Sequence, residues 1–228
     1  MKKKNTVGQV TRHRVREAIQ AMIVSGRQPV GSKLAQKALA KQFNVAQSVV
    51  REALLELLPL GLVEAIDNRG MFVSELTVER LLESYDVREV HEGLVARLCC
   101  ERITRAQVRE LVDTAEESYR QSREKKFDEM AALDAKLHRR LLEIAGHRIL
   151  LRMADMCLIF GKIINVSRPP MAVRDEHLGV LTAIGQGQTG EAERLMRQHI
   201  SNGKKAIQEQ VAQGKFVLKW VVPRTMSH

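Results

Sequence analysis

The sequence predicts a mainly α protein in which an N-terminal winged helix-turn-helix is followed by an all-α antiparallel helical bundle. Two observations carry this prediction. Strand patterns occur only between residues 62 and 73, and amphipathic helical periodicity fills nearly all of the chain after residue 77. Aromatic residues, which are enriched in sheets, make up only 4% of the 228 residues. With 44% hydrophobic and 28% charged residues the composition is that of an ordinary folded protein, which argues against disorder.

The first 76 residues show the pattern of three helices and a hairpin. Gly26, Asn44 and Gly61 are the residues at which the helical periodicities break. Two short apolar runs on either side of a turn-forming sequence predict the hairpin. The predicted elements are a basic, mobile arm at residues 1–9, helices at about 15–24, 35–43 and 46–58, and strands at 62–65 and 71–73.

Six amphipathic helices are predicted after the hairpin, with short connections that favour an antiparallel bundle. They cover about 79–100, 105–122, 126–145, 147–165, 171–186 and 189–213. The predicted domains are therefore the arm, a winged helix-turn-helix domain at residues 10–76, an all-helical domain at 77–222, and a tail at 223–228.

The positive charge of the chain is concentrated at its N-terminal end. Residues 1–51 contain eleven Lys or Arg residues and one acidic residue, so their net charge is +10 (11 − 1), which equals the formal net charge of the whole chain. The remaining residues sum to zero. A basic field this local, on a helix-turn-helix pattern, indicates duplex DNA as the partner.

Several function classes are disfavoured by the absence of their motifs. The sequence has no Cys-x-x-Cys spacing, no Gly-rich phosphate loop and no Gly-x-Ser-x-Gly elbow. Its longest strongly apolar run, residues 156–160, is far too short to span a bilayer. We therefore expect a cytoplasmic protein that has no membrane partner, and the missing motifs disfavour a nucleotide enzyme or a serine hydrolase.

Short motifs in a fixed order carry a family resemblance. In the N-terminal part they are Leu39-Ala40, Val50-Arg51-Glu52-Ala53-Leu54, Gly61-Leu62-Val63 and Gly70-Met71-Phe72-Val73. In the C-terminal part they are Asp86-Val87-Arg88, Asp134-Ala135-Lys136-Leu137-His138, Glu176-His177 and Met196-Arg197-Gln198-His199. Residues 19–73 thus resemble the DNA-binding domain of GntR-type bacterial transcription regulators. Residues from about 78 onward resemble the helical effector domain of the FCD branch of that family.

The third helix is predicted to read bases, because the N-terminal end of a recognition helix fits into the major groove. Its candidate contacts are Gln47, Ser48 and Arg51. Lys33 and Lys37 are expected to contact the DNA backbone or the groove wall, and Arg69-Gly70 at the wing tip suits a minor-groove approach.

The chain departs from the family at this helix. It has Ala46-Gln47-Ser48-Val49 where the usual motif is Ser-Arg-Thr-Pro. The change removes a good helix N-cap and a guanine-reading arginine. We therefore expect an operator in which adenine is favoured where Gln47 reads.

A metal site is predicted in the helical domain. Asp134 and His138 are four residues apart and so point the same way from one helix, although by spacing alone such a pair is more often a surface pair. The family resemblance implies that these two residues, with His177 and His199, bind a divalent transition metal such as Zn, Ni or Mn. It also implies that Arg88 binds the carboxylate of a small organic acid effector. Glu92 is expected to orient Arg88 or a metal-bound water in this effector site.

These features together predict a homodimeric, ligand-responsive transcription regulator that binds a short inverted-repeat operator. Two alternatives remain open. One is a metal-dependent enzyme that carries a DNA-binding domain, with Glu92 or Glu176 as its general base. The other is a non-specific architectural DNA binder whose helical domain is purely structural.

Overall fold

The computed structural model describes residues 3–75, 77–153 and 168–216, and it describes residues 3–10 by their backbone alone. The chain divides into two compact units between Leu76 and Thr77. The predicted fold class is confirmed: the first unit contains three helices and a hairpin, and the described part of the second contains helices only.

The N-terminal unit is a winged helix-turn-helix. Its elements are α1 (Lys3–Val24), α2 (Gln36–Phe43), α3 (Gln47–Leu57), β1 (Val63–Ile66) and β2 (Gly70–Val73). Asn44 makes the turn between α2 and α3 in the left-handed conformation, at φ 51°, which asparagine tolerates better than most residues. The two strands pair antiparallel, with Val63 opposite Val73.

The structure corrects the predicted arm at residues 1–9, because α1 already begins at Lys3. The physical reason lies in helix propensity. Lysine is a good helix former, and no proline interrupts residues 3–24. Gly8 alone costs about 1 kcal/mol in a helix, which does not suffice to end it. The predicted stop at Ser25-Gly26 agrees with the structure, since Gly26 has a φ of 71°.

Apolar packing fixes the orientation of α3. Four of its side chains are fully buried: Val50, Ala53, Leu54 and Leu57. Burial of one such Val or Leu side chain contributes roughly 1.5–3 kcal/mol. On the outer side, Arg12 of α1 pairs with Glu56 at 2.8 Å and with Glu52 at 3.3 Å. Such exposed pairs contribute only about 0–1 kcal/mol, so the buried face decides how the helix sits.

The second unit is a helical bundle. Its helices are α4 (Val78–Cys99), α5 (Arg105–Arg123), α6 (Phe127–Ala145), α7 (residues 148–153 as far as described), α8 (Pro170–Gly185) and α9 (Thr189–Ala212). In the bundle α4 packs mainly against α9, and α5 packs against α6 and α8. The rest of the predicted helix 147–165, the predicted domain end at residue 222 and the predicted tail lie outside the described residues.

Within the described ranges, no helix combines the length and the apolar character needed to cross a membrane.

Candidate metal centre and DNA-reading surface

Three buried histidines from three helices meet in the bundle. His138 lies on α6, His177 on α8 and His199 on α9, and each is at most 6% exposed. One nitrogen from each ring lies within 4.8 Å of the others. Among the described residues, Nε2 of His138 and Nε2 of His177 are buried without a hydrogen-bond partner. Buried polar atoms are nearly always bonded, so this donor set fits a metal ion.

Asp134 stands beside these histidines. Its Oδ1 lies 3.5 Å from Nε2 of His177, and its Oδ2 lies 4.0 Å from Nε2 of His138. Burial raises the pKa of Asp134, but His138, His177, His199 and Arg88 together lower it by more, so the net pKa lies below its ordinary value. An ionised carboxylate is therefore next to three imidazole rings.

Two of the histidines each contact a further carboxylate through Nδ1. Oε2 of Glu176 is 2.8 Å from Nδ1 of His199, and Oε2 of Glu92 contacts Nδ1 of His138. When Nδ1 carries the proton, it donates to the carboxylate and leaves the Nε2 lone pair for a metal. Carboxylates commonly hold metal-binding histidines in this way.

The other oxygen of each carboxylate is taken by an arginine. Nε of Arg88 donates to Oε1 of Glu92 at 2.6 Å, and Arg168 donates to Oε1 of Glu176. Asn202 also donates to Oε1 of Glu176, at 2.7 Å. The site thus contains two chains of contacts, Arg88–Glu92–His138 and Arg168–Glu176–His199.

These contacts explain the pKa values of the two carboxyl groups. Burial raises the pKa of Glu92, but Arg88 and His138 lower it by more, and the net value is well below the ordinary one. Burial likewise raises the pKa of Glu176, but His199 and Arg168 bring it down to about 2. Both groups are therefore carboxylates at neutral pH.

The pKa values of the three histidines do not all shift in the same direction. Burial lowers the pKa of His138, but Glu92 raises it by more, so the net shift is upward. Burial and then the charge of His199 lower the pKa of His177 to about 3. Burial also lowers the pKa of His199. His177 therefore stays neutral at physiological pH, as a metal ligand must.

A cavity of about 120 Å³ opens onto the same cluster and is bordered by Asp134, His177 and His199. Its wall also presents polar groups: Tyr85, Ser118, Tyr119, Ser122, Arg88, Arg168 and Arg174. All three guanidinium nitrogens of Arg174 donate hydrogen bonds to Glu116 or Asp175. Arg88 lines the same cavity; its Cζ lies 4.8 Å from the centre of the Tyr85 ring, and its Nε donates to Glu92.

The predicted role of Glu92 needs a correction. Glu92 does not line this cavity, its side chain is only 6% exposed, and its two oxygens contact Arg88 and His138. It therefore links Arg88 to His138. Because neither oxygen is free, Glu92 is poorly placed to touch an effector.

Sequence reasoning missed that Glu176, Arg168 and Asn202 belong to the site. From the sequence, Glu176 is a candidate general base for the enzyme alternative, whereas in the structure its oxygens contact His199, Arg168 and Asn202. A signal was available, since Glu176 directly precedes His177 and Asn202 follows His199 by about one helical turn.

The DNA-reading residues predicted from the sequence are all exposed. They are Lys33, Lys37, Gln47, Ser48, Arg51, Arg69 and Gly70. Within the described part of the chain, Arg51 forms no ion pair, whereas Arg12 and Arg16 are paired with Glu52 and Glu56. The N-cap of α3 is Ala46, and no side chain caps the helix there.

A winged helix-turn-helix joined to a helical domain with a polar cavity defines a class of protein, the DNA-binding regulator with a small-molecule domain. Residues 11–73 match the family of bacterial regulatory proteins, gntR family, and residues 83–202 match the FCD domain. The chain belongs to the GntR family of bacterial regulatory proteins, in the group whose second domain is FCD.

The relatives are transcription regulators. The chain is 25% identical over 185 residues to the HTH-type transcriptional repressor RspR of Escherichia coli, covering 78% of this chain and 81% of RspR. It is 28% identical over 209 residues to the HTH-type transcriptional regulator LutR of Bacillus subtilis, covering 79% of this chain and 94% of LutR. The protein is therefore a transcriptional regulator and not an enzyme.

Solved structures share the fold. E. coli McbR/YncC superposes with a TM-score of 0.70 at 18% identity, covering 88% of this chain and 98% of that chain. A GntR protein from Rhodococcus sp. RHA1 gives a TM-score of 0.68 at 20% identity, with coverage of 87% and 97%.

Proposed function

We propose that this regulator binds a divalent transition metal, Zn, Ni or Mn, through His138, His177, His199 and Asp134. The observation that carries the proposal is the pair of buried, unbonded Nε2 atoms on His138 and His177, beside an ionised carboxylate. Three imidazoles and one carboxylate are a donor set that suits these metals. The bound ion would supply a Lewis-acidic positive charge to the cavity.

The metal content of the purified protein tests this part. We expect close to one equivalent of metal per chain after loading, and a loss of at least tenfold in affinity for His177→Gln. The matched control is His147→Gln, because His147 is exposed and lies outside the cluster. Equal metal affinity in the two variants would contradict the proposed site.

We further propose that a small organic acid binds in the cavity and pairs with Arg88. The support is the position of Arg88 in the wall of the space that also reaches His177 and His199. A guanidinium forms a two-point fork with a carboxylate, which a lysine cannot reproduce. An acid held there would sit against α4, the helix that begins directly after the boundary between the two units.

A panel of small acids, added to metal-loaded protein in a thermal-shift assay, tests the effector site. The informative variant is Arg88→Lys, because it keeps a positive charge beside the buried Glu92. We expect acids that stabilise the wild type to lose their effect in this variant while metal binding persists. An unchanged response would show that the acid binds elsewhere.

On DNA, we propose that a homodimer reads a short inverted repeat through Gln47, Ser48 and Arg51. The support is the exposure of these side chains at the N-terminal end of α3. A single short helix reads only a few base pairs, and a two-fold pair of helices matches an inverted repeat. Lys33, Lys37, Arg69 and Gly70 would contact the DNA backbone and the minor groove.

Selection of bound duplexes from a random library at near-physiological salt tests the DNA reading. An enriched inverted repeat supports a sequence-specific dimer. Binding without an enriched motif would instead support the architectural DNA binder, whose affinity comes from phosphate contacts alone.

A further inference from the structure

The wing strand β2 has partners on both of its sides. It pairs with β1 on one side. On the other it pairs with residues 31–34: the amide of Gly31 donates to Val73 at 2.9 Å, and the amide of Leu34 donates to Met71 at 2.8 Å. This pairing sets Lys33 directly opposite Phe72. Side chains opposite each other on antiparallel strands lie on the same face, so Lys33 and Phe72 are neighbours.

Two cationic side chains from different parts of the chain lie near the ring of Phe72. Nζ of Lys33 lies 5.9 Å from the ring centre, and Cζ of Arg69 lies 5.5 Å from it. Both distances fall within the range of about 6 Å at which a cation is attracted to an aromatic ring. Lys33 comes from the segment before α2, whereas Arg69 comes from the hairpin turn.

The side chain of Lys33 lies close to the wing at Gly70. Gly70 has a φ of 102°, and a Cβ built at this position would be in ordinary van der Waals contact, at 3.5 Å, with Cε of Lys33. The lysine side chain therefore passes close to the wing backbone on its way to the ring. The wing tip and Lys33 thus form one surface, although they are more than thirty residues apart in the sequence.

The charges of the two cations are not neutralised. Among the described residues, neither Lys33 nor Arg69 forms an ion pair. Glu64 is opposite Phe72 on β1 and is exposed, but it forms no ion pair with either cation. A carboxylate partner would compete with DNA phosphates for these cations, whereas an aromatic ring orders a cation and leaves its charge available.

We propose that Phe72 is a positioning residue for DNA binding, and that it holds Lys33 and Arg69 together as one phosphate-binding surface on the duplex. The inference rests on the proposed role of Lys33 and Arg69 as DNA contacts. Phe72 itself contacts the two cations and acts on DNA only through them. Its loss affects affinity and salt dependence, and leaves base preference intact.

The test compares Phe72→Met with Phe72→Tyr in full-length protein. Methionine keeps an apolar side chain of similar size but has no aromatic face, whereas tyrosine keeps the face. Binding to one fixed duplex is measured at several salt concentrations. We expect Phe72→Met to bind about threefold to tenfold more weakly with a shallower salt dependence, and Phe72→Tyr to stay within about twofold of wild type.

A double variant, Lys33→Gln with Arg69→Gln, separates this inference from the proposed function. We expect it to lower the salt slope by about two, and Phe72→Met to add no further loss in its background. If the double variant binds DNA like wild type, the proposed DNA contacts fail. Two results would contradict the role of Phe72 alone. In the first, the double variant binds weakly but Phe72→Met binds like wild type. In the second, Phe72→Met lowers affinity by the same factor in the wild type and in the double variant. Phe72→Leu with the same readouts replaces Phe72→Met should that variant not fold.

Discussion

Glu176 and His199 are joined by a hydrogen bond of 2.8 Å between Oε2 and Nδ1, and one ring nitrogen of His199 lies within 4.8 Å of a ring nitrogen of His138 and of His177. The carboxylate is itself fixed by Arg168 and Asn202 on its other oxygen. The orientation of the His199 ring thus depends on three neighbouring polar residues, Glu176, Arg168 and Asn202.

Glu176→Gln is therefore expected to weaken metal binding without removing a ligand. The amide of glutamine accepts a hydrogen bond only through its oxygen. It also lacks the negative charge that makes the imidazole of His199 a stronger electron-pair donor to a metal. Loss of such a partner typically lowers metal affinity by about 10–100-fold. Competition with a chromogenic chelator measures the change. Glu143→Gln is the control, since Glu143 is 47% exposed and pairs with Arg140 on the surface. Equal metal affinities in the two variants would contradict the role of Glu176 in orienting His199.

Stability of the metal-free protein is expected to fall as the pH drops below about 6.5. The folded-state pKa of His177 is about 3, whereas the ordinary value for histidine is about 6.5. Between these values the unfolded chain binds a proton that the folded protein excludes, so stability is lost on acidification. At pH 5 this one group accounts for about 2 kcal/mol. Urea unfolding at pH 7, 6 and 5 measures the slope.

His177→Gln should reduce that slope, because the buried side chain then has no proton to exclude. A slope that is the same in His177→Gln and wild type would mean that other groups cause the acid sensitivity.

Ala46→Ser is expected to stabilise the N-terminal unit. Ala46 is the N-cap of α3 with φ −65° and ψ 146°, a conformation in which a serine hydroxyl can accept from the first turn, and at present no side chain does so. A serine at such a position contributes about 1 kcal/mol. Thermal unfolding measures it. Ala38→Ser, on the exposed face of α2, is the control of opposite sign, because serine inside a helix is slightly destabilising; a stabilisation of equal size there would contradict the capping argument.

Two protein variants at the DNA-reading surface are expected to change DNA binding in different ways. Gln47→Ala should erase the preference at one base position per half-site, where a bidentate contact is worth about 1–3 kcal/mol of discrimination. Lys37→Gln should instead weaken binding to all sequences alike and lower the salt slope by about one. Quantitative binding to operator variants at two salt concentrations separates them. Uniform weakening by Gln47→Ala would mean that Gln47 reads no base.

The helices of the second unit were predictable because each carries its own local signals. Thr104 and Gln107 form a capping box at the start of α5, and Gly146 ends α6 with a φ of 59°. These signals depend only on neighbours in the sequence. The same local signals failed at the N-terminus, where a lysine-rich segment that suggested an arm is also a good helix former.

The candidate ligands were predictable for a different reason. Asp134 and His138 share a helix face by their spacing, but grouping them with His177 and His199 depended on the family resemblance. What could not be predicted were the links from Glu92 to His138 and from Glu176 to His199. These links depend on which helices are adjacent and at what rotation, and a single sequence does not contain that information in local form.

Glu92 has one oxygen on Arg88 and the other on His138, so an acid at the arginine and an ion at the histidine would act on the same carboxylate. Under the proposed function the two ligands cannot be independent inputs. By reciprocity, whatever factor the ion contributes to acid affinity, the acid contributes to ion affinity. If the coupling is favourable, the regulator would respond most strongly when the metal and the metabolite are present together, and a shortage of the metal would raise the acid concentration that a response requires.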